Sequence, residues 1–260
     1  MKKIIALILV AVLTLSCLTG CSSSGKTVAD IQKAGKLVVG TSPDFPPFEE
    51  LQSDGSIVGI EVEILEIICE ELGVELELQQ MDFDSVLPGV QAGKIDIGMS
   101  GISVTEERQK NALFTDPYCL AAQAIVVVEG SPITSKADLD GKTISVQTGT
   151  TAESYCMGEG YQVNAYAANS DAELAVVDGK VDAWVIDDLT AAEMVEAYNE
   201  ANDTKLVILD EAMTTEPYAF ATNLANTELI EEINKIVNRL VEDGTVAEIF
   251  AGNDAPYTKP

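Results

Sequence analysis

Histidine is absent from the 260-residue chain. This absence excludes Ser-His-Asp and Cys-His catalysis, together with every metal site that uses histidine ligands. Basic side chains are scarce as well, with 15 lysines and arginines against 43 aspartates and glutamates and a formal net charge of −28. Nucleic acid and anionic membrane surfaces repel such a chain. The acidic residues are spread along the sequence, so the charge predicts solubility and identifies no ligand.

Cysteines are few and lack the CxxC spacing of zinc sites and redox motifs. Cys69 falls on the apolar side of a helical pattern and is expected in the core. Cys119 and Cys156 either pair with each other or stay free, and the sequence does not decide between these states. No GxxxxGK[ST] motif occurs, so a phosphate-binding loop of the Walker type is excluded. We expect no metal and no cofactor.

The amino terminus has the pattern of an export signal. Lys2 and Lys3 precede an apolar run, Ile4–Leu15, that is too short for a comfortable membrane span. The run leads to LTGC, which ends at Cys21 and resembles a bacterial lipobox. We therefore predict a signal peptide over 1–20 and a lipid anchor and tether over 21–34. Cleavage at Cys17 is a poorer match, and an ordinary secretory signal is the other alternative; all three predict export.

Short apolar runs alternate with helical stretches through the first half of the chain. An apolar stripe at helical spacing, for example, ends at Gly73. The predicted elements are strands over 36–40, 74–78 and 95–99, and helices over 60–72 and 84–92, the last with Asp84 as its N-cap. This β-α-β-α-β order predicts an α/β fold in which helices flank a parallel sheet.

The same alternation restarts after residue 121. We predict strands over 123–128, 143–147, 181–186 and 206–209, and helices over 135–139, from 151, and over 172–177, 190–199 and 227–242. VQAGKID at 90–96 resembles VVDGKVD at 176–182, each a helix end, a glycine cap and a strand start. The repetition indicates two similar lobes. Open α/β sheets bind ligands at the carboxyl ends of their strands, so two facing lobes form a cleft.

One strand of the first lobe ends in a group suited to a carboxylate. Ser100, Gly101 and Ser103 follow the strand predicted over 95–99, and a short helix begins at Thr105 and carries Arg108. Hydroxyls and free backbone N–H groups stand there beside a guanidinium, whose planar fork matches both oxygens of a carboxylate. The alternative is a surface helix with a solvated arginine.

Taken together, the motifs resemble those of the family 3 extracellular solute-binding proteins, the amino-acid receptors of bacterial ABC importers. The resemblance extends from about residue 35 to 250. The motifs that carry it are GTSPDFPPF at 40–48, FDSVLPGVQAGKIDIGMSGISVTEERQ at 83–109, FTDPY at 114–118, QTGTT at 147–151 and GKVD at 179–182.

This resemblance implies a two-lobed fold of the periplasmic-binding-protein type (type II). Each lobe is a mostly parallel sheet flanked by helices, and two hinge strands join the lobes. We expect lobe 1 to comprise 35–120 and 222–260, and lobe 2 to comprise 121–221. The chain should cross between the lobes near 119–123 and again near 219–223. Hinge closure would then grip the ligand.

The resemblance also assigns roles to residues around a bound amino acid. Arg108 binds the ligand carboxylate, with the Ser103 N–H and the helix start at Thr151 as further donors. Asp187 receives the ligand ammonium. A helix N-cap is the alternative role for Asp187, although capping by Asp188 would leave it free.

Further residues complete the expected site. Ser100 or Gly101 supplies a carbonyl to the ammonium, and Phe45 lies over the aliphatic part of the ligand, unless it is ordinary core. Gln147 is placed to hydrogen-bond a polar end group.

Two residues, Ser42 and Glu49, bear on which ligand side chain the site selects. Receptors for basic amino acids often carry an acidic residue at the position of Ser42, and a neutral serine argues against a basic ligand unless Glu49 reaches the pocket. We expect a polar amino acid, uncharged or sulfur-containing.

The implied function is capture of an amino acid and its delivery to an ABC importer permease. We expect a monomeric, non-enzymatic protein, held to the outer face of the membrane through the lipid on Cys21 or periplasmic, with no nucleic-acid partner. One alternative is an enzyme on the same fold, such as a cyclohexadienyl or arogenate dehydratase-like protein. A second is the ligand-sensing component of a receptor.

Overall fold

A computed structural model describes residues 25–260, and the predicted signal peptide and Cys21 lie outside this range. The first part of the chain contains α1 (Val28–Ala34), β1 (Lys36–Thr41), β2 (Asp44–Phe45), β3 (Glu49–Leu51), β4 (Ile57–Val58), α2 (Ile60–Leu72), β5 (Glu75–Gln80), α3 (Phe83–Gln91), β6 (Ile97–Gly98), α4 (Glu106–Gln109) and β7 (Leu113–Phe114). Strands β5, β1 and β6 are parallel neighbours. Strands β2, β3 and β4 form a small antiparallel sheet of their own.

Helix α1 corrects one expectation. We assigned 21–34 to an anchor and tether, but 28–34 is helical. Thr27 and Asp30 form a reciprocal capping box at its start, and Ile31 is buried beneath it. The TVAD sequence is the signal for this helix start, because a threonine and an acidic residue three positions later satisfy two free N–H groups of the first turn.

The middle of the chain builds a second sheet. Its elements are β8 (Cys119–Ala121), β9 (Gln123–Val128), a 3₁₀ turn (Lys136–Leu139), β10 (Thr143–Gln147), α5 (Thr151–Gly158), β11 (Gln162–Tyr166), α6 (Asn169–Val177), β12 (Ala183–Asp187), α7 (Asp188–Ala201) and β13 (Leu206–Ile208). Strands β11, β10 and β12 are parallel, and β9 runs antiparallel to both β12 and β13.

The chain then returns to the first sheet through β14 (Glu216–Tyr218) and β15 (Ala221–Thr222), followed by α8 (Thr227–Glu242) and α9 (Thr245–Gly252). Strand β14 pairs antiparallel with β8, so these two strands connect the sheets. We predicted the return near 219–223, but Ala221 and Thr222 already pair with β6. Pro217 obscured the true crossing, because proline within a short run argues against a strand.

The predicted two-lobed α/β fold is confirmed. Lobe 1 denotes the sheet with order β5-β1-β6-β15-β7, its helices and the small sheet β2-β3-β4, which packs against α2. Lobe 2 denotes the sheet with order β11-β10-β12-β9-β13 and its helices. The repeat seen in the sequence is structural, since Gly93 and Gly179 each follow a helix with a φ of 66°. In both lobes this turn leads into the strand whose carboxyl end faces the other lobe.

Several local expectations are adjusted by the structure. Helix α3 begins at Phe83 rather than Asp84, and Asp82 occupies the N-cap position without a side-chain capping bond. Cys69, Cys119 and Cys156 are all free and buried, which settles the question of pairing. Between residues 25 and 260, no helix is both long enough and apolar enough to cross a membrane.

Candidate ligand site

An enclosed cavity lies between the two lobes, beside the carboxyl ends of β6 and β12. Its volume of about 10 Å³ is that of one water molecule. A larger ligand therefore enters only when the lobes separate. Eight of the nine ligand-binding residues predicted from the sequence line this cavity, together with two that were missed. The lining residues are Phe45, Phe83, Ser100, Gly101, Ser103, Arg108, Gln147, Thr150, Thr151 and Asp187.

The two missed residues had signals in the sequence. Phe83 opens α3 directly after the carboxyl end of β5, at the same edge of the sheet as Ser100. Thr150 precedes Thr151 in the QTGTT motif and is the N-cap of α5. Ser42 is the predicted residue that does not line the cavity. Its hydroxyl donates to Asp44 at 2.9 Å, and its N–H donates to the Ser100 hydroxyl at 3.2 Å.

Arg108 reaches the cavity from the first turn of α4. The Thr105 hydroxyl caps this turn by accepting from the Arg108 N–H at 3.1 Å. The guanidinium donates to the Ser103 carbonyl at 2.9 Å and to the Gly149 carbonyl, in lobe 2, at 3.1 Å. Within the described residues these are its only side-chain hydrogen bonds, so three of its five N–H donors remain for a ligand.

The charge environment of Arg108 favours an anionic ligand. Burial lowers the pKa of Arg108, while the nearby carboxylates of Glu216 and Asp187 raise it. No salt bridge within residues 25–260 involves Arg108. A desolvated guanidinium without a bonded carboxylate gains most from a ligand that supplies one.

Buried carboxyl groups of lobe 1 hold the loop after β6 on the side away from the cavity. Gly101 has a φ of 52°, and a Cβ added there would lie 2.4 Å from Cε1 of Phe45. Its N–H donates to the Glu61 carboxylate at 2.8 Å, and the Ser100 hydroxyl donates to Glu49 at 2.9 Å. Only glycine permits both this backbone conformation and the close approach of the aromatic ring.

Glu49 does not reach the cavity, contrary to the role considered for it. It is fully buried behind the Ser100 loop and faces Glu61. Glu61 accepts from the Tyr118 hydroxyl at 2.7 Å and from the Gly101 N–H. Burial, and then the negative charge of Glu61, raises the pKa of Glu49 well above its ordinary value. Burial also raises the pKa of Glu61, but hydrogen bonds from Glu49, the Gly101 N–H and the Tyr118 hydroxyl oppose that rise. The proton of the pair is therefore assigned to Glu49, which donates to Glu61.

Lobe 2 presents the start of a helix to the cavity. Thr150 caps α5 by accepting from the Glu153 N–H at 3.2 Å, and its own hydroxyl donates to the Gln147 carbonyl at 2.7 Å. Thr151 is the first residue of α5. Its N–H has no partner within the helix, and the helix dipole places partial positive charge there. The cavity therefore has cationic character from both lobes, Arg108 on one side and α5 on the other.

Asp187 lies at the carboxyl end of β12, and its side chain does not cap the helix that follows. It occupies the N-cap position of α7 without a capping bond, whereas Asp188 accepts from the N–H groups of Ala122 and Leu189. Asp187 accepts from the Gln123 amide at 2.9 Å. Burial raises the pKa of Asp187 to about 7. No lysine or arginine of residues 25–260 forms a salt bridge with it, which leaves the carboxylate for a cationic group of a ligand.

The raised pKa of Asp187 predicts pH-dependent binding of a ligand with an ammonium group. The ammonium needs the ionised carboxylate, so protons compete with the ligand below about pH 7. We expect the affinity to fall between about pH 7 and pH 5, with a slope approaching tenfold per pH unit. The ligand-free protein should show the opposite sign, because a carboxyl group with a raised pKa loses its stabilising proton as the pH rises.

Calorimetric titration across this pH range measures the slope, and Asp187→Asn is the matched variant. The asparagine variant should bind weakly at every pH and with no slope. The same slope in the variant as in the wild type would show that another group titrates.

Gln147 lines the cavity from the carboxyl end of β10. Its amide donates to the Ala167 carbonyl at 3.0 Å and accepts from the Asn169 side chain at 3.2 Å. These contacts fix the orientation of the amide. No group of three or more acidic, cysteine or histidine side chains within residues 25–260 is arranged to hold a metal ion.

Comparison with known proteins identifies the family of the chain. Residues 37–252 match the bacterial extracellular solute-binding proteins, family 3. The arginine-binding extracellular protein ArtP of Bacillus subtilis (strain 168) is 31% identical over 254 residues, 96% of each chain. The arginine-bound form of truncated ArgBP from T. maritima is 39% identical with a TM-score of 0.77, covering 82% of this chain and 99% of that one.

A further solved structure bears on the enzyme alternative. The ancestral amino acid-binding protein AncCDT-1, described as a precursor of cyclohexadienyl dehydratase, is 32% identical with a TM-score of 0.79. The superposition covers 87% of this chain and 99% of that one. The structure that links this chain to the dehydratases is therefore itself described as an amino acid-binding protein.

Proposed function

Since the chain belongs to the bacterial extracellular solute-binding proteins, family 3, we propose that it captures a free amino acid between its lobes and delivers it to an ABC importer. The observation that carries this proposal is the placement of Arg108 and Asp187 at one enclosed cavity. A free α-amino acid carries one carboxylate and one ammonium. A site with one cation and one anion at opposite walls is complementary to that pair of charges.

Capture proceeds by closure of the lobes. In the open state the ligand carboxylate meets Arg108 on lobe 1, where the ammonium can reach a carbonyl of Ser100 or Gly101 but no carboxylate. Movement at β8 and β14 then brings Asp187 and the start of α5 over the ligand. Closure is favoured because the ligand contacts both lobes only in the closed state.

The ligand side chain is proposed to be polar, with arginine as the first candidate. Phe45 lines the cavity, and a guanidinium stacks well on an aromatic face; the Phe83 ring is already covered by Arg108, whose Cζ lies 5.5 Å from the ring centroid. Gln147 adds a fixed amide for a polar end group. Two of the relatives described above are named as arginine-binding proteins. This changes our preference for an uncharged or sulfur-containing side chain, which depended on the neutral Ser42.

The remaining steps of the proposal follow from the export signal and the family. The mature protein is held to the outer face of the membrane through the lipid on Cys21, as the LTGC sequence indicates. The closed form is recognised by the permease of the importer, which acts with a separate ATPase. We propose binding without turnover, since the cavity pairs the charges of a zwitterion.

Thermal unfolding against the twenty amino acids, with cystine, ornithine and citrulline, tests the proposed function. The protein is first unfolded and refolded to remove carried-over ligand. A ligand at a hundredfold excess over its Kd stabilises by about 2.7 kcal/mol, which shifts the Tm of a chain of this size by roughly 5–10 °C. We expect arginine or another polar amino acid to produce this shift.

The control is the same panel with Asp187→Asn, whose Tm should not respond. A wild-type protein that responds to no amino acid would contradict the proposal. Turnover of prephenate or arogenate by the purified protein would instead support the enzyme alternative.

A further inference from the structure

Helix α6 of lobe 2 lacks an N-cap of its own. It runs over Asn169–Val177, and Ala168 at the N-cap position has no side chain that can accept a hydrogen bond. The first N–H groups of an α-helix have no partner within the helix, and Ser, Thr, Asp or Asn at the N-cap normally accepts from one of them. Threonine side chains of their own segment cap α1, α4 and α5, whereas α6, like the remaining helices between residues 25 and 260, has no side-chain capping bond from its own N-cap residue.

The missing acceptor comes from the other lobe. Asp44 on β2 accepts from the Asn169 N–H at 2.7 Å, although the two residues are 125 positions apart. The same carboxylate accepts from the Ser42 hydroxyl at 2.9 Å and from the Gln147 amide at 3.4 Å. The backbone carbonyl of Asp44 accepts from the Asn169 side chain at 3.4 Å. An anion therefore lies at the positive end of the α6 dipole.

We infer that Asp44 is an N-cap in trans for α6, formed only when the lobes close, and that it sets the strength of closure on any bound ligand. This inference rests on the proposed function and adds a positioning residue to it. When the lobes separate, water replaces the carboxylate at Asn169. Capping by Asp44 therefore stabilises the closed state relative to the open state, and it adds nothing to the folding stability of either lobe alone.

Asp44 acts on closure and leaves selectivity to other residues. It does not line the enclosed cavity. The Gln147 amide that does line it is held most closely by Ala167 at 3.0 Å and Asn169 at 3.2 Å, and its contact with Asp44 is the longest of the three at 3.4 Å. Burial raises the pKa of Asp44. Among its hydrogen-bond donors, the Asn169 N–H lowers that pKa the most. Removal of the Asp44 carboxylate should therefore weaken the binding of different amino acids by the same factor.

The test compares Asp44→Ala with the wild type by calorimetric titration of two amino acids that stabilise the wild type. Loss of an N-cap corresponds to an affinity loss of about 2- to 30-fold. We expect this loss for both ligands, mainly as a faster dissociation rate, because the contact forms after the ligand has docked. Asp44→Asn keeps an acceptor and should retain most of the affinity. Asp203→Ala removes an exposed carboxylate of lobe 2 and should change nothing.

A second variant isolates capping from other effects of Asp44. Ala168→Ser gives α6 a cap within its own lobe, which persists when the lobes separate. This variant should raise the Tm of the ligand-free protein and weaken ligand binding. Asp44→Ala should then cost less affinity in the Ala168→Ser background than in the wild type.

Three results would overturn the inference: an unchanged Kd in Asp44→Ala, a loss confined to one ligand, or an equal loss in both backgrounds. A wild type that binds no amino acid would overturn the proposed function, and the inference with it. If the wild type binds an amino acid normally, any of the three results contradicts only the role of Asp44 and leaves the proposed function intact.

Discussion

Arg108→Ala is expected to lower amino-acid affinity by about 30- to 5000-fold, the equivalent of roughly 2–5 kcal/mol. The loss is large because the ligand carboxylate is enclosed without a cation once the lobes close. The guanidinium also donates to the Gly149 carbonyl across the lobe boundary, so its removal weakens the closed state as well. Isothermal titration of the ligand-free protein measures the change.

The chain offers a matched control, since Arg239 is its only other arginine. The Arg239 side chain is 48% exposed and pairs with Glu71 and Asp243 on the surface of lobe 1. Arg239→Ala should leave the affinity unchanged. Arg108→Lys keeps the charge but loses the planar fork, and should fall between the wild type and the alanine variant. Equal affinities of Arg108→Ala and Arg239→Ala would refute the assigned role of Arg108.

Glu61→Ala is expected to produce a large loss of stability. Its carboxylate accepts from the Tyr118 hydroxyl and from the Gly101 N–H, and both donors would be left buried without an acceptor. Hydrogen bonds to a charged group contribute about 1.5–3 kcal/mol each, so we expect a loss of about 3–5 kcal/mol in the free energy of unfolding. For a chain of this size the Tm should drop by roughly 6–20 °C, measured by calorimetry.

Glu49→Gln is the matched comparison and should cost under about 1 kcal/mol, since its amide reproduces the hydrogen bonds of a protonated glutamate. The pH dependence gives a second readout. Because the pKa of Glu49 is raised in the folded protein, the stability from its proton is lost as the pH rises through the folded pKa. The wild type should therefore lose stability relative to Glu49→Gln at alkaline pH. A mild Glu61→Gln and a severe Glu49→Gln would place the proton on Glu61 instead.

The sequence identified much of the site because its signals are local. A glycine cap followed by a short apolar run fixes where each strand ends, and α/β topology brings those ends together. Ser100 was predicted on this basis, whereas the role of Asp187 came from the family resemblance. The lobes themselves follow from the alternation of strand and helix patterns, which is strong in this chain.

Contacts between distant residues escaped prediction. Asp44 and Asn169 meet only after both lobes have folded and closed, and nothing near Ala168 marks the missing cap as a contact point. Glu49 belongs to a three-residue strand, which is too short for periodicity to tell which way a side chain points. The return crossing was misplaced for a similar reason, since β14 contains only three residues and one is a proline.

The sheet order of lobe 1 has a consequence for how the chain is made. Strand β15 lies between β6 and β7, so that sheet stays in two pieces until residue 222 has been synthesised. Helices α8 and α9, which pack against α2, arrive later still. Lobe 2 has all its strands by residue 208. A nascent chain emerging amino end first would therefore complete the inserted lobe before the outer one, and truncation after residue 213 should spare lobe 2 while leaving lobe 1 unfinished.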